Sequence, residues 1–348
     1  MGVDLGDLAI KHAISLESLS GRIIAVDAFN VLYQFLASIR QEDGTPLMDF
    51  RGNITAHLSG LFYRNAKLLE NGIRPVYVFD GKPAELKERT HEERAAVKAS
   101  ARKKWEEALE KEEFREAKKY AQATSRLTPQ MVAEAKELLT AMGIPWVQAE
   151  GEGEAQAAIM AQKGIVYAAA SQDYDALLFG APVLVRNISI TGRRKVPRQD
   201  RYIMIEPEEI VLKETLAGLG VTREQLIMIG VLTGTDFNEG VRGVGPKTAL
   251  KIVKEHKQPA TIIDYIRQKY NYEFEVDPRE ILDLFMKPKE AEIPGKFGWG
   301  EVSEEDVVGI LVRKHDFSEE RVRRTTGQMI KSFKEKGEQK SLGQWFDG

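Results

Sequence analysis

Four short apolar runs punctuate the first 190 residues of the chain: RIIAVD at 22–27, PVYVFD at 75–80, GIVYAAA at 164–170 and PVLVRN at 182–187. They are continuously apolar rather than alternating, which predicts strands covered on both faces, as in a parallel sheet. Between the first two, ITAHLSGLFYRNAKLLENG repeats apolar residues at helical spacing. Strands alternating with helices predict an α/β fold with a mainly parallel central sheet flanked by helices. Thr128 and Pro129 predict the start of another helix and Gly143 its end. Residues 223–256 read as helix, loop, helix, in REQLIMIGVLTG, TDFNEGVRGVG and PKTALKIVKEH. From about 330 the chain turns polar, KSFKEKGEQK, before closing on SLGQWFDG.

The stretch 82–128 has a different texture. No glycine occurs between Gly81 and Gly143, and residues 82–120 hold 12 Lys or Arg against 10 Asp or Glu. Its apolar positions (Leu86, Val97, Trp105, Leu109, Phe114) are sparse, which predicts charged helices projecting from the core.

Composition narrows the class. At 43% hydrophobic and 30% charged, the 348 residues predict a soluble globular protein. No run of 18 apolar residues predicts a transmembrane helix, and the start, MGVDLGDLAIKHAIS, lacks the basic region of a signal peptide. Gly2 lacks the full myristoylation pattern, because Gly6 stands where Ser or Thr is needed. With no cysteine there is no disulfide and no cysteine-ligated metal site. Absence of cysteine with dense Lys, Arg and Glu points to a thermophile. The net charge of −3 changes sign with the role of the acids: setting seven aside leaves 50 basic against 46 acidic residues. Charge distribution therefore decides more than the total.

Those seven acids carry the candidate chemistry. Asp27, Asp80 and Asp173 follow the first three apolar runs, where the sites of open α/β sheets form. Asp175 lies two residues beyond Asp173, Glu152 and Glu154 open the segment EAQAAIMAQKG, and Asp236 follows another helix. Gathered together, ionised carboxylates would repel until some took protons. Divalent cations remove that conflict. Mg²⁺ prefers oxygen ligands and keeps exchangeable waters, and two ions about 3.5–4 Å apart suit phosphodiester hydrolysis. A lone Asp at a strand end is ordinarily a turn or helix cap; two acid-x-acid pairs with three further acids are not explained that way. Of the three alternate glutamates, position relative to the helix start favours the later two and assigns Glu150 to the loop.

Two rival motifs fail. VDAFN has Phe29 where a haloacid-dehalogenase phosphatase needs its second Asp, and Pro246 separates Gly245 from Lys247 where a Walker loop needs Gly-Lys-Ser/Thr. In GVRGVGPKTALKI, Gly243 and Gly245 instead allow a tight turn ahead of a helix whose first turn holds Lys247 and Thr248. Its amides and dipole suit one DNA backbone phosphate. Lys87 and Arg94, seven apart, share a helix face that would look back at the acids; solvation is the ordinary role of such residues.

Taken together these segments resemble the XPG-like family of structure-specific 5′ nucleases, and within it the flap endonucleases of archaeal type. The resemblance runs through MGVDLGDL, VDAFNVLYQFL, HLSGLFYRN, NGIRPVYVFDGKPAELK, MGIPWVQAEGEGEAQAA, YAAASQDYDALLFG and LTGTDFNEGVRGVGPKTAL, almost the whole chain. Where the family carries a Pro-Ser-Glu-Ala-Glu-like segment, this chain supplies Gly151 and Gly153 but keeps Glu152 and Glu154.

The resemblance implies a PIN/5′-nuclease-like fold: a single core over 1–330, with an N-terminal nuclease region (1–105), a helical arch (82–128), and an internal region (120–258) containing the hairpin element 223–256. A flexible tail, 331–348, follows. It implies one metal among Asp27, Asp80, Glu152 and Glu154, and a second among Asp173, Asp175 and Asp236. Both would be Mg²⁺, with Mn²⁺ able to substitute. Lys87 and Arg94 match the basic pair of the arch, Tyr33 an aromatic that stacks near the scissile bond, and Gly2 the N-terminus close to DNA. Residues 40–57 match the surface for a short 3′ flap. Gly243, Gly245, Lys247 and Thr248 match a helix–two-turn–helix element on duplex DNA that also holds a monovalent cation. Gln339, Leu342, Trp345 and Phe346 match a sliding-clamp (PCNA) box.

The implied activity is metal-dependent cleavage of 5′ flaps, with 5′–3′ exonuclease activity, in Okazaki-fragment maturation and long-patch base-excision repair. The implied protein is a cytoplasmic, nucleoid-associated monomer. A 5′ nuclease preferring bubbles or nicks, and a non-catalytic clamp adaptor, are the alternatives; an adaptor need not keep seven acids.

Overall fold

The computed structural model describes residues 2–41, 43–82, 124–190, 192–195 and 202–346, with positions 100, 104, 105, 107 and 120 between, and beyond 333 the backbone alone. Lys87, Arg94 and nearly all of the arch lie outside the described residues.

The first half is built from β1 (His12–Ala13), β2 (Ile23–Asp27), α1 (Ala28–Ser38), α2 (Ala56–Glu70), β3 (Arg74–Phe79), α3 (Pro129–Ala141) and β4 (Trp146–Gln148). Next come α4 (Gly153–Gln162), β5 (Ala168–Ala170), α5 (Asp175–Leu178), β6 (Val183–Arg186), β7 (Gly192–Lys195), β8 (Tyr202–Ile205) and β9 (Glu208–Val211). Helices follow: α6 (Leu212–Leu219), α7 (Arg223–Thr233), α8 (Pro246–His256), α9 (Pro259–Tyr270), α10 (Pro278–Met286), α11 (Glu304–Val308) and α12 (Glu319–Phe346), with a π-helical turn over Gly309–Lys314.

A seven-stranded sheet has the order β1-β9-β6-β5-β2-β3-β4, and β7 and β8 form a separate hairpin. β4, β3, β2, β5 and β6 are parallel; β9 and β1 join antiparallel. The central strands feed two cores by alternation. Ala25, Val76, Val78 and Ala169 face one core with Met160, Ile227 and Phe285. Ile24, Val26, Tyr77, Phe79, Ala168 and Ala170 face the other with Phe35, Leu61 and Leu138. Both faces are thus covered, which is why the runs lack alternation.

Local rules explain the helix ends. Thr128 caps α3 through the Met131 amide, Pro129 is its first residue, and Gly143 takes a left-handed φ of 66° just beyond it. Thr222 and Gln225 close a capping box on α7. α2 lies tight on α1: a Cβ on Gly60 would stand 2.2 Å from the Phe35 ring. In the polar stretch from 331 the backbone of α12 continues to Phe346. Glu, Lys and Gln are good helix formers even where no apolar stripe marks them. No single described helix is long and apolar enough to cross a membrane.

Candidate active site

Because β2, β3 and β5 run parallel, their carboxyl ends share one edge of the sheet. Asp27 closes β2 level with Val78, Asp80 follows β3, and Ser171 to Asp173 follow β5. Asp27 is 6% exposed; its Oδ1 caps α1 by accepting from the Asn30 amide at 3.0 Å. Asp80 Oδ1 accepts from the Gly153 amide at 2.8 Å. That bond brings the first turn of α4 over β3, and Glu152 and Glu154 flank it. Glu152 is the N-cap residue of α4, but its side chain makes no capping bond.

The loop after β5 is held from three sides. Ser171 Oγ donates to Glu154 Oε1 and accepts from the Asp173 amide at 3.2 Å. Asn30 Nδ2 donates to Asp173 Oδ2 at 2.8 Å, and Asn30 Oδ1 accepts from the Gln172 amide at 3.2 Å. Arg186 donates to the Gln172 carbonyl at 3.0 Å and to the Tyr174 hydroxyl at 2.6 Å. Asp175, 6% exposed, opens α5 and accepts from the Val3 amide at 2.8 Å. The N-terminal segment therefore reaches the acids: a Cβ on Gly2 would stand 2.6 Å from Asp173 Cβ and 2.8 Å from Asp175 Oδ2.

Burial, and after it the charges of Asp175, Asp27 and Asp173, push the Glu154 carboxyl well above its usual range, with Ser171 opposing. These four acids therefore lie close enough for their charges to interact. Gly81 joins the neighbouring loops, its amide donating to the Gly151 carbonyl at 2.7 Å while the Lys82 amide donates to the Glu150 carbonyl at 3.1 Å. There is no room for a Cβ at Gly81, which would stand 2.2 Å from the Ala149 carbonyl oxygen.

Asp236 is half-buried in the tight loop after α7. Asn238 secures that loop by donating to the Val231 carbonyl at 2.8 Å, and Gly230 faces Leu178, Val3 and Thr235. Five acids (Asp27, Asp80, Glu154, Asp173 and Asp175) each accept from a protein donor that orients them, and a carboxylate has about four acceptor sites. The set is all oxygen, with no sulfur and no imidazole, and fits a hard divalent cation. Among the described residues, no three acids are already drawn around one ion-sized point; closing them without a cation would raise their repulsion further.

The remaining expected residues are separate from the acids. Tyr33 is exposed on α1. Gly243, at a φ of 85°, and Gly245, the N-cap of α8, make the turn before Lys247 and Thr248, both exposed. Lys247 pairs with Asp7 at 3.1 Å, a surface contact worth little. Leu342, Trp345, Phe346 and Gln339 fall within α12. Asn30, Ser171, Arg186 and Gly81 do not stand out in the sequence. Asn30 carries one available signal: a polar residue in the mainly apolar first turn of a helix, AFNVLYQFLAS.

Comparison with known proteins is consistent along the chain. Residues 1–101 match the XPG N-terminal domain and residues 143–236 the XPG I-region. Flap endonuclease 1 of Hyperthermus butylicus is 52% identical over 351 residues, spanning 99% of both chains. That of Aeropyrum pernix is 51% identical over 99% of this chain and 100% of its own. The solved flap endonuclease-1 from Methanococcus jannaschii superposes with a TM-score of 0.75 at 41% identity, covering 96% of this chain and all of that one. The catalytic core of Rad2 in complex with DNA substrate shares the fold, with a TM-score of 0.70 at 24% identity over 95% of this chain and 100% of its own. Nucleases of the XPG family generally depend on divalent metal. With both XPG regions present and half of its residues identical to full-length relatives, the chain belongs to the flap endonucleases of the XPG family, structure-specific nucleases that cut 5′ flaps.

Proposed function

We propose that the acids at the sheet edge hold two divalent cations, Mg²⁺ with Mn²⁺ able to substitute, and that the site hydrolyses the phosphodiester at the junction between flap and duplex. The observation supporting this is Glu154, half-buried and facing the charges of Asp175, Asp27 and Asp173, with its carboxyl pushed upward. Asp27, Asp80, Glu152 and Glu154 would hold one ion; Asp173, Asp175 and Asp236 the other. When bound, such ions lower the pKa of water and neutralise charge on phosphate.

The rest of the chain grips and orients DNA. Tyr33 offers an exposed face on which a base would stack, and Gly2 places the N-terminal segment against the acids. Lys87 and Arg94 would hold the scissile phosphate. The turn at Gly243 and Gly245 presents first-turn amides of α8 to a duplex phosphate, with Lys247 and Thr248 beside them. A monovalent cation would sit at this turn. Residues 40–57, where Phe50 is 95% exposed, would receive a short 3′ flap. The products are a released flap and a 5′-phosphate on the shortened strand.

The role is Okazaki-fragment maturation and long-patch base-excision repair by a monomer at the nucleoid in the cytoplasm, with exonuclease activity alongside. The sliding clamp would be bound through Gln339, Leu342, Trp345 and Phe346. Single-turnover cleavage of matched flap, nicked and bubble DNAs tests the junction preference. The flap substrate should be cut at least ten-fold faster, at its junction; equal rates on the bubble would defeat this reading.

A further inference from the structure

Asn30 belongs to neither group of acids, yet it binds one acid of each. Its backbone amide donates to Asp27 Oδ1 at 3.0 Å and its side-chain amide to Asp173 Oδ2 at 2.8 Å. Its side-chain carbonyl oxygen meanwhile accepts from the Gln172 amide at 3.2 Å, fixing the backbone from which Asp173 projects. Both polar atoms of the side chain are thus committed to one loop, 142 and 143 residues away in sequence.

The chemistry of an amide suits that place. Lysine or arginine would hold the same carboxylate more strongly, but would supply the positive charge that a cation should bring. A second carboxylate would add repulsion. A neutral donor orients Asp173 while leaving its charge for the ion. Because Asp27 is the N-cap of α1 and Asn30 lies in its first turn, the two bonds are separated by less than one helical turn, and the helix acts as a rigid spacer between the ends of β2 and β5.

We propose that Asn30 is a positioning residue that sets the separation of the two metal-binding groups by gripping Asp27 through its backbone and Asp173 through its side chain. This rests on the two-metal reading above. Outer-shell partners of metal ligands typically change affinity or activity by about 10–100-fold when removed.

The test uses the full-length chain, with Asn30→Ala and the isosteric Asn30→Asp. Asn30→Asp can still accept from Gln172 but cannot donate to Asp173. Mn²⁺ binding is measured by calorimetry, and single-turnover flap cleavage across a Mg²⁺ titration. Both variants should bind Mn²⁺ at least ten-fold more weakly and need correspondingly more Mg²⁺ for half-maximal cleavage. Asn30→Ala should remain slower than wild type at saturating Mg²⁺, with metal-free binding to flap DNA unchanged within two-fold. A lowered melting temperature with wild-type Mn²⁺ affinity and Mg²⁺ profile would make Asn30 merely structural and overturn the proposal. Absence of Mn²⁺ binding by the wild type would overturn the two-metal reading as well; unchanged variants beside a binding wild type overturn this inference alone.

Discussion

Glu154 shows what the site costs the fold. Its half-buried carboxylate faces Asp175, Asp27 and Asp173, with a hydrogen bond from Ser171 opposing them. In the absence of metal its charge opposes folding; with metal bound, the same charge becomes the attraction. Glu154→Gln keeps the volume and an acceptor for Ser171 while removing the charge. By calorimetry in chelator the variant should melt a few degrees above wild type, about 0.5–2 kcal/mol more stable, as expected where function is kept at the expense of stability. Flap cleavage should be nearly lost. A variant that melts lower in chelator would mean that the hydrogen bond to Ser171 outweighs the repulsion.

At the scale of elements, a polar brace ties distant segments together behind the exposed tip at Phe50. Asp49 accepts from the Asn53 side chain at 2.8 Å and faces His315 Nδ1 at 3.3 Å; Glu134 on α3 faces His57 on α2 at 3.1 Å and His315 at 3.9 Å. Burial opposes ionisation of Asp49, but the bonds from Asn53, His315 and Arg51 prevail and hold its carboxyl at about 2, against an ordinary 3.8. A depressed carboxyl contributes stability in full above its unfolded value, and loses it as pH falls through the folded one. The stability gap between wild type and Asp49→Asn should therefore be constant above about pH 5 and shrink between 3.8 and about 2. Chemical denaturation across pH measures it, and a gap that grows on acidification would refute the assignment.

The same scale explains what could be read from sequence. Asp27 and Asp80 were legible because each ends a buried run, and Glu152 and Glu154 because a helix starts at Gly153. β1 and β4, two and three residues long, are too short to show any period. The antiparallel β9 is only four residues, two of them glutamate. Asn30 escaped because its partners lie in a loop that only the sheet topology brings near.

Across the whole molecule, the proposed chemistry and the proposed clamp attachment lie at opposite parts of the chain: all seven acids precede residue 237, whereas the segment proposed to bind the clamp occupies 339–346. Removing residues 339–348 should leave cleavage of free flap DNA unchanged while abolishing clamp binding by calorimetry; clamp binding at wild-type affinity would move the interface elsewhere. The acids themselves are tested most directly by single-turnover cleavage of a double-flap DNA with wild type and Asp175→Asn across a Mg²⁺ titration. Wild type should be inactive in chelator and rise more steeply than first order at low Mg²⁺. Asp175→Asn, folded and still binding the junction, should stay nearly inactive at every concentration. Cleavage by the variant at the wild-type rate, or by wild type in chelator, would contradict the account.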